Sequence, residues 1–143
     1  MKNILVGIDF KENTQNLIDE AIVLAEKFQS KIWLIHAVAP EPDFVGYGVG
    51  PQSIRDFRAE ELKNENKMLS DYVGTLKEKG IEADALFLMG ATTNILLDTA
   101  KKLNSDLIIV GHHHHGFMQK LIFGDIAEEV VKKANTPVLV VPC

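Results

Sequence analysis

A single cysteine, Cys143 at the last position, leaves no partner for an intramolecular disulfide, which suits a reducing compartment. Long apolar runs are missing as well. The first one, Ile4–Ile8, is far shorter than a signal-peptide core or a membrane span requires, so a cytoplasmic location with no membrane association is expected. Positive charge is not in excess. The formal net charge is −5, so no general electrostatic attraction to nucleic acid or anionic lipid is expected, and only a local basic patch could supply one. There is no G-x-x-x-x-G-K-[ST] phosphate loop, and no G-x-G-x-x-G follows the first apolar run. These are the two common glycine-rich cradles for nucleotide phosphates. No nucleophile with a neighbouring base can be read either, so a binding module is favoured over a catalyst.

What is present points to one domain over residues 1–143, with 46% apolar residues to fill its core. "NILVGID" (Asn3–Asp9) is short, β-branched and apolar, as a buried strand is. Leu17, Ala21, Leu24, Ala25 and Phe28 then recur at helical spacing. "KIWLIHAV" (Lys31–Val38) reads as a second strand. Ala39–Pro51 holds three of the five prolines and reads as a long loop. Leu62, Leu69, Val73 and Leu76 mark a long helix that "KEKG" (Lys77–Gly80) stops. Further strands are expected at Ile81–Gly90, Ser105–Gly111 and Thr136–Cys143. Helices carried by Ile95, Leu96, Ala100 and Leu103, and by Ile126, Ala127, Val130, Val131 and Ala134, lie between them. Strands alternating with helices predict a parallel sheet covered on both faces. Ligands of such sheets sit beyond the carboxyl ends of the strands, where the strand order reverses. If the first and fourth strands are neighbours, Asp9 and the segment after Gly111 share one crevice.

That segment, "VGHHHHGF" (Val110–Phe117), carries four of the five histidines. In an extended stretch His112 pairs with His114, and His113 with His115. Two imidazoles fall short of the three or four protein ligands zinc usually takes, so a metal site needs a further donor such as Asp9 or a second subunit. The cluster is also suited to respond to acidification. The fifth histidine, His36, lies inside an apolar strand and reads as a hydrogen-bonded core residue. Lys120 reads as a solvated lysine, and Phe117, Leu121 and Phe123 as residues that pack the loop down.

Four pieces, "ILVGIDF", "LIHAV", "SDLIIVGHH" and "GDIAEEVVKKANTPVLVVP", together resemble the universal stress proteins of the UspA type, nearly end to end. The resemblance implies an α/β fold of Rossmann-like, adenine nucleotide alpha hydrolase-like architecture. It has a single five-stranded parallel sheet in the order 3-2-1-4-5 and four helices. It also implies a stress-response role. Nucleotide-binding members of the family share a signature of Gly, two residues, Gly, nine residues, Gly, then Ser or Thr. Here Gly111 and Gly124 match, His114 replaces the middle glycine and Asp125 replaces the hydroxyl. By the same resemblance Asp9 and Ala37, which follows His36, contact the nucleoside. The implied pocket is therefore Asp9, Ala37, Val110, Gly111, His114, Gly124, Asp125 and Ile126, with ATP or AMP and Mg²⁺ as its ligands. The "GHH…F" loop equally resembles UspA-branch members that do not bind ATP.

The two substitutions have physical consequences. Phosphate needs main-chain amides at a helix N-terminus and close approach of the backbone. Histidine at 114 adds bulk and disfavours positive φ, although its ring N–H groups can themselves hold phosphate. Asp125 begins a D-x-x-E sequence with Glu128, the pattern of a capping box, whose carboxylate would take the amides a phosphate wants. Two unit charges about 4 Å apart repel by roughly 4 kcal/mol at an effective dielectric near 20, unless Mg²⁺ bridges them. Three readings remain: a binding module that works through protein partners without ATP, an ATP- or AMP-binding switch, and a slow ATPase or related enzyme. In the order 3-2-1-4-5 the last strand is an edge. "PVLVV" is apolar and uncharged there, and such edges invite pairing. Dimerisation through this strand, which the family resemblance also implies, predicts a homodimer centred on Val138, Leu139, Val140 and Val141.

Overall fold

A computed structural model of the chain describes residues 1–10, 14–38, 52–112 and 126–142, with the side chains of residues 52–57 excepted. The elements are β1 (Asn3–Gly7), α1 (Thr14–Phe28), β2 (Lys31–Val38), α2 (Gln52–Glu78), β3 (Ala83–Met89), α3 (Thr92–Lys102), β4 (Leu107–His112), α4 (Ile126–Lys133) and β5 (Val138–Pro142). All five strands are parallel and lie in the order β3-β2-β1-β4-β5. The expected sheet is therefore the observed one, with its direction of winding reversed between β1 and β4.

Both faces of the sheet are covered, and the side chains of the central strands alternate between them. Ile4, Val6, Ile32, Leu34 and Ile109 pack on one face against Leu17, Ile18 and Ala21 of α1 and Leu69 and Leu76 of α2. Leu5, Ile35, Ile108 and Val110 pack on the other against Leu96 and Ala100 of α3 and Ala127 and Val130 of α4. Gly7 lets α3 approach β1. A Cβ there would lie 3.0 and 3.1 Å from the two Leu96 methyls, closer than ordinary van der Waals contact. The "KEKG" stop is realised as a left-handed cap at Gly80 (φ 79). Gly80 N–H donates to the Lys77 carbonyl and Ile81 N–H to that of Leu76, which satisfies the last carbonyls of α2.

Several sequence expectations shift. β1 ends at Gly7 instead of Asp9, β3 is trimmed at both ends, and β4 starts two residues later and extends to His112. Phe28 does not join the buried stripe of α1. It lies in the last turn, where Gln29 (φ 54) reverses the chain, and is 54% exposed. On α4 only Ala127 and Val130 are buried. Ile126 and Val131 each lie one residue, about 100° of rotation, away from that narrow stripe and are exposed. Among the described residues no helix is long and apolar enough to cross a membrane.

At the amino rim, Asp106 ties the start of β1 to the turn before β4. Its carboxylate accepts the main-chain N–H groups of Lys2 at 2.6 Å and Asn3 at 3.0 Å. Those bonds, Asn3's first, hold its carboxyl below the usual carboxylate range. Lys31 Nζ lies 2.7 Å from Asp84 and 3.9 Å from the centre of the Trp33 ring. Its bond to Asp84 raises the Lys31 pKa and lowers that of Asp84.

Candidate functional site

The carboxyl rim is built by the reversal between β1 and β4. Their register pairs Ile4 with Leu107, Leu5 with Ile108 and Val6 with Ile109. Counting onward three residues brings Asp9 level with His112. No strand intervenes, and both lie at the carboxyl ends of parallel neighbours. This is the crevice in which ligands of such sheets are held. On the other side of β1, Ala37 lies one residue before the end of β2. It is half-buried, and so are Asp9, Gly111 and His112. Val110 is buried beneath them in the α3/α4 core.

The residue that shapes this rim is His36. It is 6% exposed, and both ring nitrogens are engaged. Nδ1 lies 2.7 Å from the Ile8 carbonyl oxygen, and a carbonyl can only accept, so Nδ1 carries the proton. Nε2 lies 2.9 Å from a carboxylate oxygen of Glu65, in the middle of α2. The edge of one ring meets the face of the other where Phe10 contacts the imidazole, centroids 4.8 Å apart. Phe87 packs against it at 5.3 Å. Phe10 adopts φ 57, the left-handed region that non-glycine residues enter sparingly. β1 therefore leaves the sheet through a conformation held by its packing on His36.

Of the residues expected in the pocket, the structure brings Asp9, Ala37, Val110 and Gly111 to this rim. Ile126 opens α4 and is 40% exposed. His114, Gly124 and Asp125 lie outside the described residues, as do His113 and His115, so His112 alone of the histidine run is placed. Among the described residues no three His, Cys, Asp or Glu side chains gather in a metal-binding group. Glu128, the second half of the expected capping box, has one carboxylate oxygen paired with Lys132 at 3.1 Å. α4 is tied to α3 by Thr93, whose hydroxyl donates to Glu129 at 2.9 Å. Lys133 and then Thr93 hold the Glu129 carboxyl below its ordinary range. Sequence reasoning placed His36 in the core with hydrogen bonds but missed Glu65 and Phe10 as its partners. Glu65 reads as one more solvated glutamate of a long helix, and nothing local marks a contact that closes across 29 positions.

In the edge strand β5, Val138 and Leu139 are half-buried, Val140 is exposed and Val141 is buried. Leu139 and Val141 pack into the α1/α2 core and Val138 against the α3/α4 core. Val140 is thus the side chain of the four most open to another chain.

A parallel sheet reversing between β1 and β4, with Asp9 and His112 level with each other at the reversal, defines a small doubly wound α/β protein. The family model of the universal stress proteins matches residues 1–142, and the chain belongs to that family. Universal stress protein A homolog 1 of Coxiella burnetii is 32% identical over 143 residues, covering 98% of this chain and 95% of that protein. The universal stress protein from Archaeoglobus fulgidus in complex with dAMP has the same fold. It superposes with a TM-score of 0.66 at 18% identity, covering 98% of this chain and 97% of the other. A universal stress protein family protein from Arabidopsis thaliana with AMP bound superposes with a TM-score of 0.63 at 18% identity, covering 99% and 91%.

Proposed function

We propose that this universal stress protein is a homodimeric, cytoplasmic regulatory module that holds an adenine nucleotide with a short phosphate chain in the β1/β4 crevice. The observation that carries the reading is the position of Asp9 beside the end of β4, with the Ala37 main chain on the other side of β1. In this arrangement the Asp9 carboxylate accepts from the ribose hydroxyls, and the Ala37 main chain meets the base edge. The dAMP and AMP complexes of the two structural neighbours support the choice of ligand class.

The same reading disfavours a triphosphate. Asp125 immediately precedes α4 in the sequence, where phosphate would seek main-chain amides, and a carboxylate there repels it. His114 stands where the phosphate-binding signature has glycine. A monophosphate uses the nucleoside half of the pocket and makes least demand on the altered half. Calorimetric titration with AMP, and separately with ATP and Mg²⁺, tests this. AMP should bind more tightly than ATP. No heat with either nucleotide would favour instead the module that works through protein partners alone, a reading to which the Asp125 replacement already lends support.

The edge strand β5 is what supports the dimer. It ends the sheet and presents apolar residues with no charge to guard the edge, and a two-fold antiparallel contact would continue the sheet across both chains.

A further inference from the structure

The bonding around Ile8 departs from what a parallel ladder would give. In such a ladder alternate residues of one strand bond to one neighbour, and the residues between them bond to the other. The even residues of β2 face β3: Ile32 N–H donates to the Glu82 carbonyl, and Gly90 N–H to that of Val38. The odd residues face β1: Lys31 N–H donates to the Lys2 carbonyl, and Ile8 N–H returns a bond to Ile35 at 2.8 Å. The next bond in that series would run from Ala37 N–H to the Ile8 carbonyl. It is not made, because the β1–β2 register stops at Gly7 and Ile35. The Ile8 carbonyl accepts a hydrogen bond from His36 Nδ1 instead, at 2.7 Å.

We propose that His36, held at Nε2 by Glu65, is a positioning residue. It ends the β1–β2 ladder one bond early and so leaves the Ala37 main-chain N–H and C=O turned to the crevice as an adenine-reading edge. The imidazole occupies the acceptor that would otherwise claim the Ala37 amide. Phe10, whose N–H a continued ladder would bring to the Ala37 carbonyl, departs at φ 57 with its ring packed on the imidazole. Both polar groups of Ala37 thereby face away from β3 and toward the rim beside Asp9. A purine base offers a donor next to an acceptor along its edge, which matches one amide N–H beside one carbonyl. Glu65 fixes the ring from α2, so the helix and the base-reading edge are mechanically joined. The ligand part of this inference rests on the adenine-nucleotide reading above, whereas the ladder part stands without it.

Amide hydrogen exchange on the full chain, with AMP titration alongside, separates the two. In the native protein Ala37 should exchange faster than Trp33 and Ile35, whose amides lie in the ladder with β1. In His36→Phe, a ring of similar bulk with no donor, the Ile8 carbonyl becomes free to take the Ala37 amide. Exchange at Ala37 should then slow by about tenfold while AMP binding weakens by about tenfold. Glu65→Ala should move both readouts in the same directions, and Glu65→Gln, whose side-chain amide keeps a hydrogen-bonding group against Nε2, should restore them. A merely structural histidine would speed exchange at Ala37 together with its neighbours. That result, or native Ala37 as protected as Ile35, overturns the proposal. If His36→Phe does not fold, the Glu65 pair decides by the same two signs. Absence of AMP binding to the native protein together with the predicted exchange pattern would remove the nucleotide reading and leave the positioning role intact.

Discussion

Thr93 of α3 donates its hydroxyl to Glu129 of α4 at 2.9 Å, which ties the short α4 to α3, while Lys133 of α4 itself donates to the same carboxylate. Thr93→Val keeps the shape of a buried side chain and removes the donor. The Glu129 carboxyl should then titrate closer to its ordinary range by NMR, because one of the two groups that lower it is gone. No movement of the Glu129 titration would show that Lys133 alone sets it.

Gly7 and Leu96 set how closely α3 approaches the rim. In Gly7→Ala the new Cβ meets Leu96 methyls at 3.0 and 3.1 Å, and Leu96 is fully packed with little room to yield. The variant should lose about 1–3 kcal/mol of stability, the ordinary range for overpacking, read as a lower urea midpoint with an unchanged slope. A midpoint equal to the native one would mean that α3 moves away freely.

Acid should weaken the fold from its amino rim. The main-chain bonds to Asp106 and the Lys31 bond to Asp84 lower both carboxyl pKa values in the folded state. A lowered folded pKa gives stability that is full above the unfolded value, about 3.9. That stability is lost as pH falls through the folded one. Both groups are largely exposed, so each contribution is modest. Asp106→Ala should be less stable than the native protein at pH 7 and should show a shallower further loss between about pH 4 and pH 2. An acid limb of unchanged steepness would contradict the assignment.

The edge strand supplies a direct test of assembly. Val140→Lys adds a charge at the exposed position of β5 without touching Leu139 or Val141 in the core. Sedimentation should give a two-chain mass for the native protein and a one-chain mass for the variant. A native protein sedimenting as one chain would contradict the proposed dimer.

How far the sequence discloses this molecule depends on whether the deciding contacts are local. The apolar run of β1, the stripe of α3 and the Gly80 stop of α2 are local patterns, and the structure follows them. So is the alternation of strands and helices that dictates a covered parallel sheet. The end of β1 is not local. Asp9 looks like the last residue of a strand, yet the strand stops at Gly7 because an imidazole from β2 takes the carbonyl of Ile8. That substitution depends on Glu65, reached only once α2 has docked. Phe28 and Val131 carry the right character for a buried stripe and the wrong angular position, which the width of each helix contact determines. Asp9 is legible as a rim residue once the family resemblance supplies the strand order, which places it beside β4.

The measurement that tests the central claim most directly is NMR chemical-shift mapping with AMP on the native protein and on Asp9→Ala. Binding in the crevice where the sheet reverses predicts saturable shifts at Ile8–Phe10, Ala37 and Val110–His112, and their loss in Asp9→Ala. Shifts confined to the amino rim around Asn3 and Asp106, or equal shifts in the Asp9→Ala protein, would contradict it.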